Sequence, residues 1–153
     1  MTESLRDFRH SLPMELLRAR EAAMARFRPV LREHGLTEQQ WRVVRALADG
    51  EPLDAGELAR RSFLLAPSLT RILQFLEKEA LVTRGSDRND QRRSVLALTD
   101  KGRQVFARVG PDSELRYAEI ESEFGHDRLE QLYTLLADFY TTLDSRNGRT
   151  QET

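Results

Sequence analysis

The residues best able to do chemistry gather in one stretch, TRGSDRNDQRRSVLALT, from Thr83 to Thr99. Arg84, Arg88, Arg92 and Arg93 fall within ten residues, with Asp87 and Asp90 among them. Guanidinium groups bind phosphate and carboxylate bidentately, so such a loop is suited to gripping a polyanion. Four arginines this close repel one another unless something anionic balances them, and the two aspartates offset only half of that charge. The division expected is that one aspartate orients a neighbouring arginine while the others face a phosphate backbone. An arginine at a loop tip also fits a narrow minor groove, where the negative potential is strongest.

Catalytic patterns are missing by comparison. His10, His34 and His126 stand far apart in the chain, and none has metal-ligand spacing with acids or with another histidine. There is no phosphate-cradling glycine loop, nucleophile elbow or paired-carboxylate pattern. The chain has no cysteine, which excludes disulfides, thiolate nucleophiles and cysteine-based peroxide sensing. An enzyme is not expected, nor is a cofactor or a bound metal.

The elements that must hold the basic loop can be read from apolar spacing. Leu16, Leu17, Ala23, Met24, Phe27 and Leu31 predict a helix over Leu12–His34, bent at Pro29 and stopped by Gly35. Thr37 and Gln40 form a capping box for the next helix, whose apolar face is Trp41, Val44, Leu47 and Ala48 and which ends at Gly50. Asp54 and Glu57 start a short helix to about Ser62. A tight connection, SFLLA, leads to a further helix with Ala66 as a poor cap and Pro67 in the first turn. Its stripe of Leu69, Ile72, Leu73, Leu76 and Ala80 should be buried, leaving Pro67, Ser68, Thr70, Arg71, Gln74 and Lys78 outside.

Two strand-like runs follow, Leu81–Gly85 and Ser94–Thr99, with the basic loop as their turn. Thr99 or Asp100 caps a helix to about Phe124, bent near Gly110-Pro111 and broken at Gly125. Asp127 and Glu130 start a last helix with a wide apolar face of Leu129, Leu132, Tyr133, Leu136, Phe139, Tyr140 and Leu143. Residues 145–153 read as a frayed end.

Short helix, turn, second helix and hairpin make a winged helix-turn-helix, in a fold that is mainly α with a small β-hairpin wing. The amino-terminal residues of the second helix are the ones that reach base edges in a major groove. Ser68, Thr70, Arg71 and Gln74 can donate or accept there, and Arg71 is the candidate for bidentate reading of guanine. The same four also suit a merely solvated face. The expected contacts with double-stranded DNA are therefore Pro67, Ser68, Thr70, Arg71 and Gln74 from the helix, with Arg88, Asp90, Arg92 and Arg93 from the wing.

Bulk properties agree with a single soluble domain over residues 1–153. Hydrophobic residues make up 39% and charged residues 32%, a balance suited to a helix-rich globular chain. The formal charge of -1 conceals a gradient: residues 54–103 carry 10 Lys+Arg against 7 Asp+Glu, and residues 104–153 carry 5 against 10. A polyanion responds to the local excess, not the total. The first residues lack a signal-peptide layout and no apolar run reaches membrane length, so a cytoplasmic location without membrane contact is expected.

DQRRSVLALTDKG, from Asp90 to Gly102, resembles the wing motif of MarR-type transcription regulators, with Asp90, Arg92, Leu96, Leu98 and Thr99 in matching positions. LAPSLTRILQFLEKEALVTR is similar to that family's recognition helix and following strand. Ser11 to Leu47 resembles the subgroup that regulates homoprotocatechuate (hydroxyphenylacetate) degradation operons. The resemblance implies a homodimeric repressor whose grip on a pseudo-palindromic operator weakens when a small aromatic acid binds. On it, residues 37–99 form the winged lobe, and 8–34 with 100–146 form dimerisation helices.

Two copies are also favoured by the apolar excess at the chain ends, from Leu12 to Leu17 and along the last helix. An aromatic carboxylate effector needs a cation, an apolar slot and a hydroxyl partner. Ser11, Arg18, Arg20, His34, Trp41 and Arg45 lie in segments that would border a cleft beside the winged lobe, with Arg18 or Arg20 facing the carboxylate. The bland alternatives are ion pairs of Arg18 with Glu15 or Glu21, and Trp41 as plain core. A winged helix used only for protein contact or dimerisation, without an effector, is the competing function.

Overall fold

The computed structural model describes residues 5–147; of the frayed end expected over 145–153, residues 145–147 are helical instead, and 148–153 lie outside the described residues. After a single 3-10 turn at Phe8–His10 come α1 (Leu12–Glu33), α2 (Glu38–Ala48), α3 (Ala55–Ser62) and α4 (Ala66–Lys78). A two-stranded antiparallel hairpin, β1 (Val82–Ser86) and β2 (Ser94–Leu98), precedes α5 (Asp100–Phe124) and α6 (His126–Asn147). The chain divides into two compact units, up to Ser113 and from Glu114, so the boundary falls inside α5.

In the first unit the helix starts follow the capping residues. Thr37 Oγ1 accepts from the Gln40 N–H at 3.2 Å while Gln40 Oε1 accepts from the Thr37 N–H at 3.0 Å. Thr99 Oγ1 accepts from the Gly102 N–H at 3.0 Å and donates to the Ala80 carbonyl at 2.6 Å. α1 and α5 run unbroken through Pro29 and Pro111. One hydrophobic cluster joins Leu31 of α1, Trp41, Val44 and Leu47 of α2, Leu58 of α3, and Leu69, Leu73 and Leu76 of α4. Leu96 and Leu98 of β2 and Val105 and Val109 of α5 complete it.

Three details depart from the sequence reading. Ala80 is not part of the buried stripe: α4 ends at Lys78, and Ala80 is exposed with φ 58. The reason is the reversal into β1, where the Leu81 N–H bonds the Leu76 carbonyl at 2.9 Å. The cap of α4 is Leu65, one residue earlier than Ala66. Val43 joins the core at 0% exposure, because α2 is enclosed on more than one face.

The wing is built into this core rather than appended to it. Val82 pairs with Leu98, and the register continues to Ser86 with Ser94. Leu53, just before α3, bridges Leu96 of β2 through backbone hydrogen bonds of 3.0 and 2.7 Å. The Thr99 N–H donates to the Leu81 carbonyl at 3.0 Å, and a Cβ on Gly102 would meet that same oxygen at 2.1 Å.

In the second unit, Gly125 at φ 101 separates α5 from α6. Arg128 lies over the Phe124 ring at 4.2 Å, and His126 Nδ1 is 2.5 Å from Glu121 Oε1. That contact raises the His126 pKa by favouring the imidazolium. No residue of α6 with a described side chain is buried; Leu132, Tyr133, Leu135, Tyr140 and Leu143 are all exposed.

Candidate nucleic-acid interface

The helix-turn-helix is fixed at both ends of α3. Asp54 Oδ1 accepts from the Glu57 N–H at 2.8 Å, which satisfies one of the open donors at the helix start. Glu57 does not return to the backbone. Its carboxylate takes Arg60 at 2.5 Å and Arg61 at 2.7 Å, and these hydrogen bonds, Arg60 first, hold its pKa down to about 2. At the other end Arg42 of α2 donates to the Ser62 carbonyl at 2.9 Å.

α4 buries Leu69, Ile72, Leu73 and Leu76, which turns Pro67, Thr70, Arg71 and Gln74 to solvent and leaves Ser68 half-buried. Thr70 donates its hydroxyl to the Ala66 carbonyl at 3.0 Å, so its oxygen is presented outward as an acceptor. Among the described residues, Arg71 makes no ion pair and Gln74 no hydrogen bond. The first turn of α4 has no acidic side chain and no side-chain cap, so the partial positive charge of its open N–H groups is not offset locally.

The four wing arginines have four different surroundings. Arg84 is held on the strand by Glu77 of α4 at 3.1 Å. Arg92 is 93% exposed in its side chain, and its position is set by Asp90, whose Oδ1 accepts from the Arg92 N–H at 3.0 Å and from Nε at 3.3 Å. Arg93 pairs with Asp54 Oδ2, the oxygen of the α3 cap that the backbone does not use. Arg88 stands exposed at the tip with no ion pair among the described residues. The loop itself is shaped by Asp87, whose N–H bonds the Arg93 carbonyl at 3.0 Å and whose side chain accepts from the Asn89 N–H at 2.9 Å.

The six residues expected around an effector are not gathered within one chain. Ser11 and His34 flank the two ends of α1, about 34 Å apart at the 1.5 Å rise of an α-helix. His34 Nε2 lies 3.0 Å from Asp112 Oδ2, and Trp41 stacks on Phe106 with ring centroids 5.6 Å apart. Both contacts join the α1–α2 corner to α5, and Arg45 is exposed one turn beyond Trp41. Arg18 is 3.5 Å from Glu15, while Arg20 pairs with Glu38.

Glu38 is a junction that single-sequence reading missed. It takes Arg20 and Arg28 from α1 and Arg42 from its own helix. Burial opposes its ionisation, but Arg20 and Arg28 outweigh that and lower its pKa. A cleft of about 270 Å³ beside it is lined by Arg28, Leu31, Arg32, Leu36, Thr37 and Glu38, and by none of the six expected residues. Among the described residues no cluster of side chains could hold a metal, and no helix is long and apolar enough to cross a membrane.

A short helix, a turn, a second helix with an open polar face and a basic hairpin define a winged helix-turn-helix protein. Comparison with known proteins says which kind. Residues 34–93 match the MarR family. The chain is 44% identical over 136 residues to the homoprotocatechuate degradative operon repressor of Escherichia coli, covering 89% of this chain and 92% of that protein. Its fold superimposes on NadR in complex with 4-hydroxyphenylacetate with a TM-score of 0.75 at 41% identity, covering 91% of this chain and 96% of NadR. The repressor CouR, solved on a 23-mer DNA duplex, gives a TM-score of 0.78 at 26% identity over 90% of this chain and 99% of CouR. The chain belongs to the MarR family of transcription regulators, and is not an enzyme.

Proposed function

We propose that this chain is a cytoplasmic, homodimeric repressor that binds a pseudo-palindromic operator of an aromatic-acid catabolic operon and releases it when a small phenolic carboxylate binds. The observation that carries the DNA half of this reading is the exposed polar face of α4 beside a wing whose most exposed arginine, Arg92, is oriented by Asp90. In this reading Thr70, Arg71 and Gln74 read base edges, with Ser68 and Pro67 at the helix entry. Arg88 and Arg92 take phosphate or minor groove, and Arg93 serves there on leaving Asp54.

Residues 37–99 act as the reading lobe, while 8–34 and 100–146 supply dimerisation. Support for the dimer comes from exposed leucines at both ends: Leu12, Leu16 and Leu17 in α1, and Leu132, Leu135 and Leu143 in α6. Two copies also let one protein read two half-sites about a helical turn apart.

The effector half is supported by the likeness to the Escherichia coli repressor and to NadR with its 4-hydroxyphenylacetate. His34, Trp41 and Arg45 supply one side of the site, and Ser11 reaches it only from the second copy, given the length of α1. Arg18 or Arg20 meets the carboxylate in this reading, on exchanging Glu15 or Glu38 for it. Selection of duplexes from a random pool, followed by titration with 4-hydroxyphenylacetate, tests both halves. A two-fold-related site whose affinity drops with the acid is expected. Salt-independent binding would remove the DNA reading, and unchanged affinity at saturating acid would remove the effector.

A further inference from the structure

Two large apolar side chains inside the helix-turn-helix stand in solvent: Phe63 is 90% exposed and Leu65 77%. Leu64 between them turns inward against the core. The turn that presents them is fixed by hydrogen bonds. The Phe63 N–H donates to the Ala59 and Arg60 carbonyls, and the Leu64 N–H to the Ala59 carbonyl at 3.0 Å.

Neither residue is one that folding would choose. Phe63 sits at φ 51 and ψ 48, a left-handed conformation in which Cβ crowds the following carbonyl and which Gly or Asn adopts at least cost. Leu65 is the N-cap of α4, a position that favours Ser, Thr, Asp or Asn and that leucine leaves uncapped. Both break a local rule and gain no burial in return, which marks a place where something other than stability selects the side chain.

Their neighbours indicate what covers them. Phe63 and Leu65 immediately precede the first turn of α4, ahead of Pro67, Ser68, Thr70 and Arg71, and that turn carries no acidic group. Arg60 and Arg61 end the helix before it. An apolar edge set among cations and hydrogen-bonding side chains matches duplex DNA at thymine, whose C5-methyl is the apolar group on the major-groove base edges. We infer that Phe63 and Leu65 form a reading edge for thymine methyl groups adjoining the bases faced by α4. This rests on duplex binding through α4 as proposed above.

The full-length wild type and the double variant Phe63→Asn/Leu65→Ser are titrated with the duplex recovered by selection. The same duplex with deoxyuridine for thymidine is the second ligand, since it keeps every hydrogen-bonding group and lacks only the methyls. The wild type should bind the uracil duplex about fourfold more weakly per contacted methyl, the worth of one buried methyl-sized group. The double variant should bind both duplexes equally, with the wild-type salt dependence and without loss of melting temperature, because asparagine suits the left-handed site and serine the cap. Equal binding of both duplexes by the wild type overturns the inference, as does an undiminished difference in the variant. Dissociation of the variant to monomer would assign the edge to a protein contact and overturn it too. Failure of the wild type to select any duplex defeats the DNA reading itself, a distinct result from duplex binding without methyl discrimination.

Discussion

Asp54 holds two partners with its two oxygens: Oδ1 caps α3 through the Glu57 N–H at 2.8 Å, and Oδ2 pairs with Arg93 of the wing. Neutralising the carboxylate while keeping an acceptor separates the two roles. Asp54→Asn should retain most of the melting temperature, whereas Asp54→Ala should lose about 1 kcal/mol of stability with the cap. In Asp54→Asn the freed Arg93 should steepen the salt dependence of duplex binding, by up to about 0.9 in log–log slope for one added phosphate contact. An unchanged slope would mean that Arg93 does not reach DNA.

The different surroundings of the wing arginines predict unequal effects of removing them. Arg92→Ala should weaken operator binding by about 1.5–3 kcal/mol, the range for a hydrogen bond to a charged group. Arg84→Ala should change it far less, because Arg84 is already engaged by Glu77. Equal losses in a mobility-shift titration would reduce the wing to a diffuse positive patch.

Arg71 has no intrachain ion pair among the described residues and projects from the exposed face of α4. Arg71→Ala should cost about 1–3 kcal/mol on the selected duplex and relax the preference at one base pair of each half-site. Re-selection from a random pool reads this directly; an unaltered consensus would assign Arg71 to phosphate.

Glu57 gives a pH signature. Its folded pKa, about 2, lies below its ordinary 4.5. The stabilisation from its pairs with Arg60 and Arg61 is therefore complete above pH 4.5 and is lost as pH falls through about 2. Glu57→Gln should flatten the acid side of the urea-midpoint curve across that window. A curve of unchanged steepness would show that other carboxylates dominate acid unfolding.

Leu135 is 66% exposed on α6 and contributes little to the fold of one copy. Leu135→Asp should change the stability of the subunit by no more than about 0.5 kcal/mol, as exposed substitutions generally do. It should nevertheless shift the protein toward monomer in sedimentation at micromolar concentration. A variant that stays dimeric would place the interface elsewhere.

Much of this architecture was legible in the sequence because it is written locally. The Thr37–Gln40 box, the Asp54 cap, the glycine stops and the stripe from Leu69 to Leu76 depend on residues within a turn or two of each other. Asp90 and Arg92 were legible for the same reason, two residues apart on one loop. What the sequence hid is pairing across distance. Nothing in the order of residues connects Arg93 with Asp54, or Glu38 with Arg20 and Arg28, because each pair meets only after the lobe has closed. Ala80 was misread since helical spacing continues past the point where the chain reverses. Phe63 and Leu65 looked like an ordinary connection until their exposure was known.

Gly102 has a mechanical consequence. With 2.1 Å between its would-be Cβ and the Leu81 carbonyl oxygen, the first turn of α5 and the root of the hairpin sit backbone against backbone, with the Leu98 side chain alongside at 3.2 Å. Such a joint has no room for a side chain at 102. A tilt imposed on the start of α5 would press first on the Leu81 carbonyl, at the root of the hairpin. Gly102 thus lets the first turn of α5 close directly on the strand root that carries the basic loop, and Gly102→Ala would force the two backbones apart.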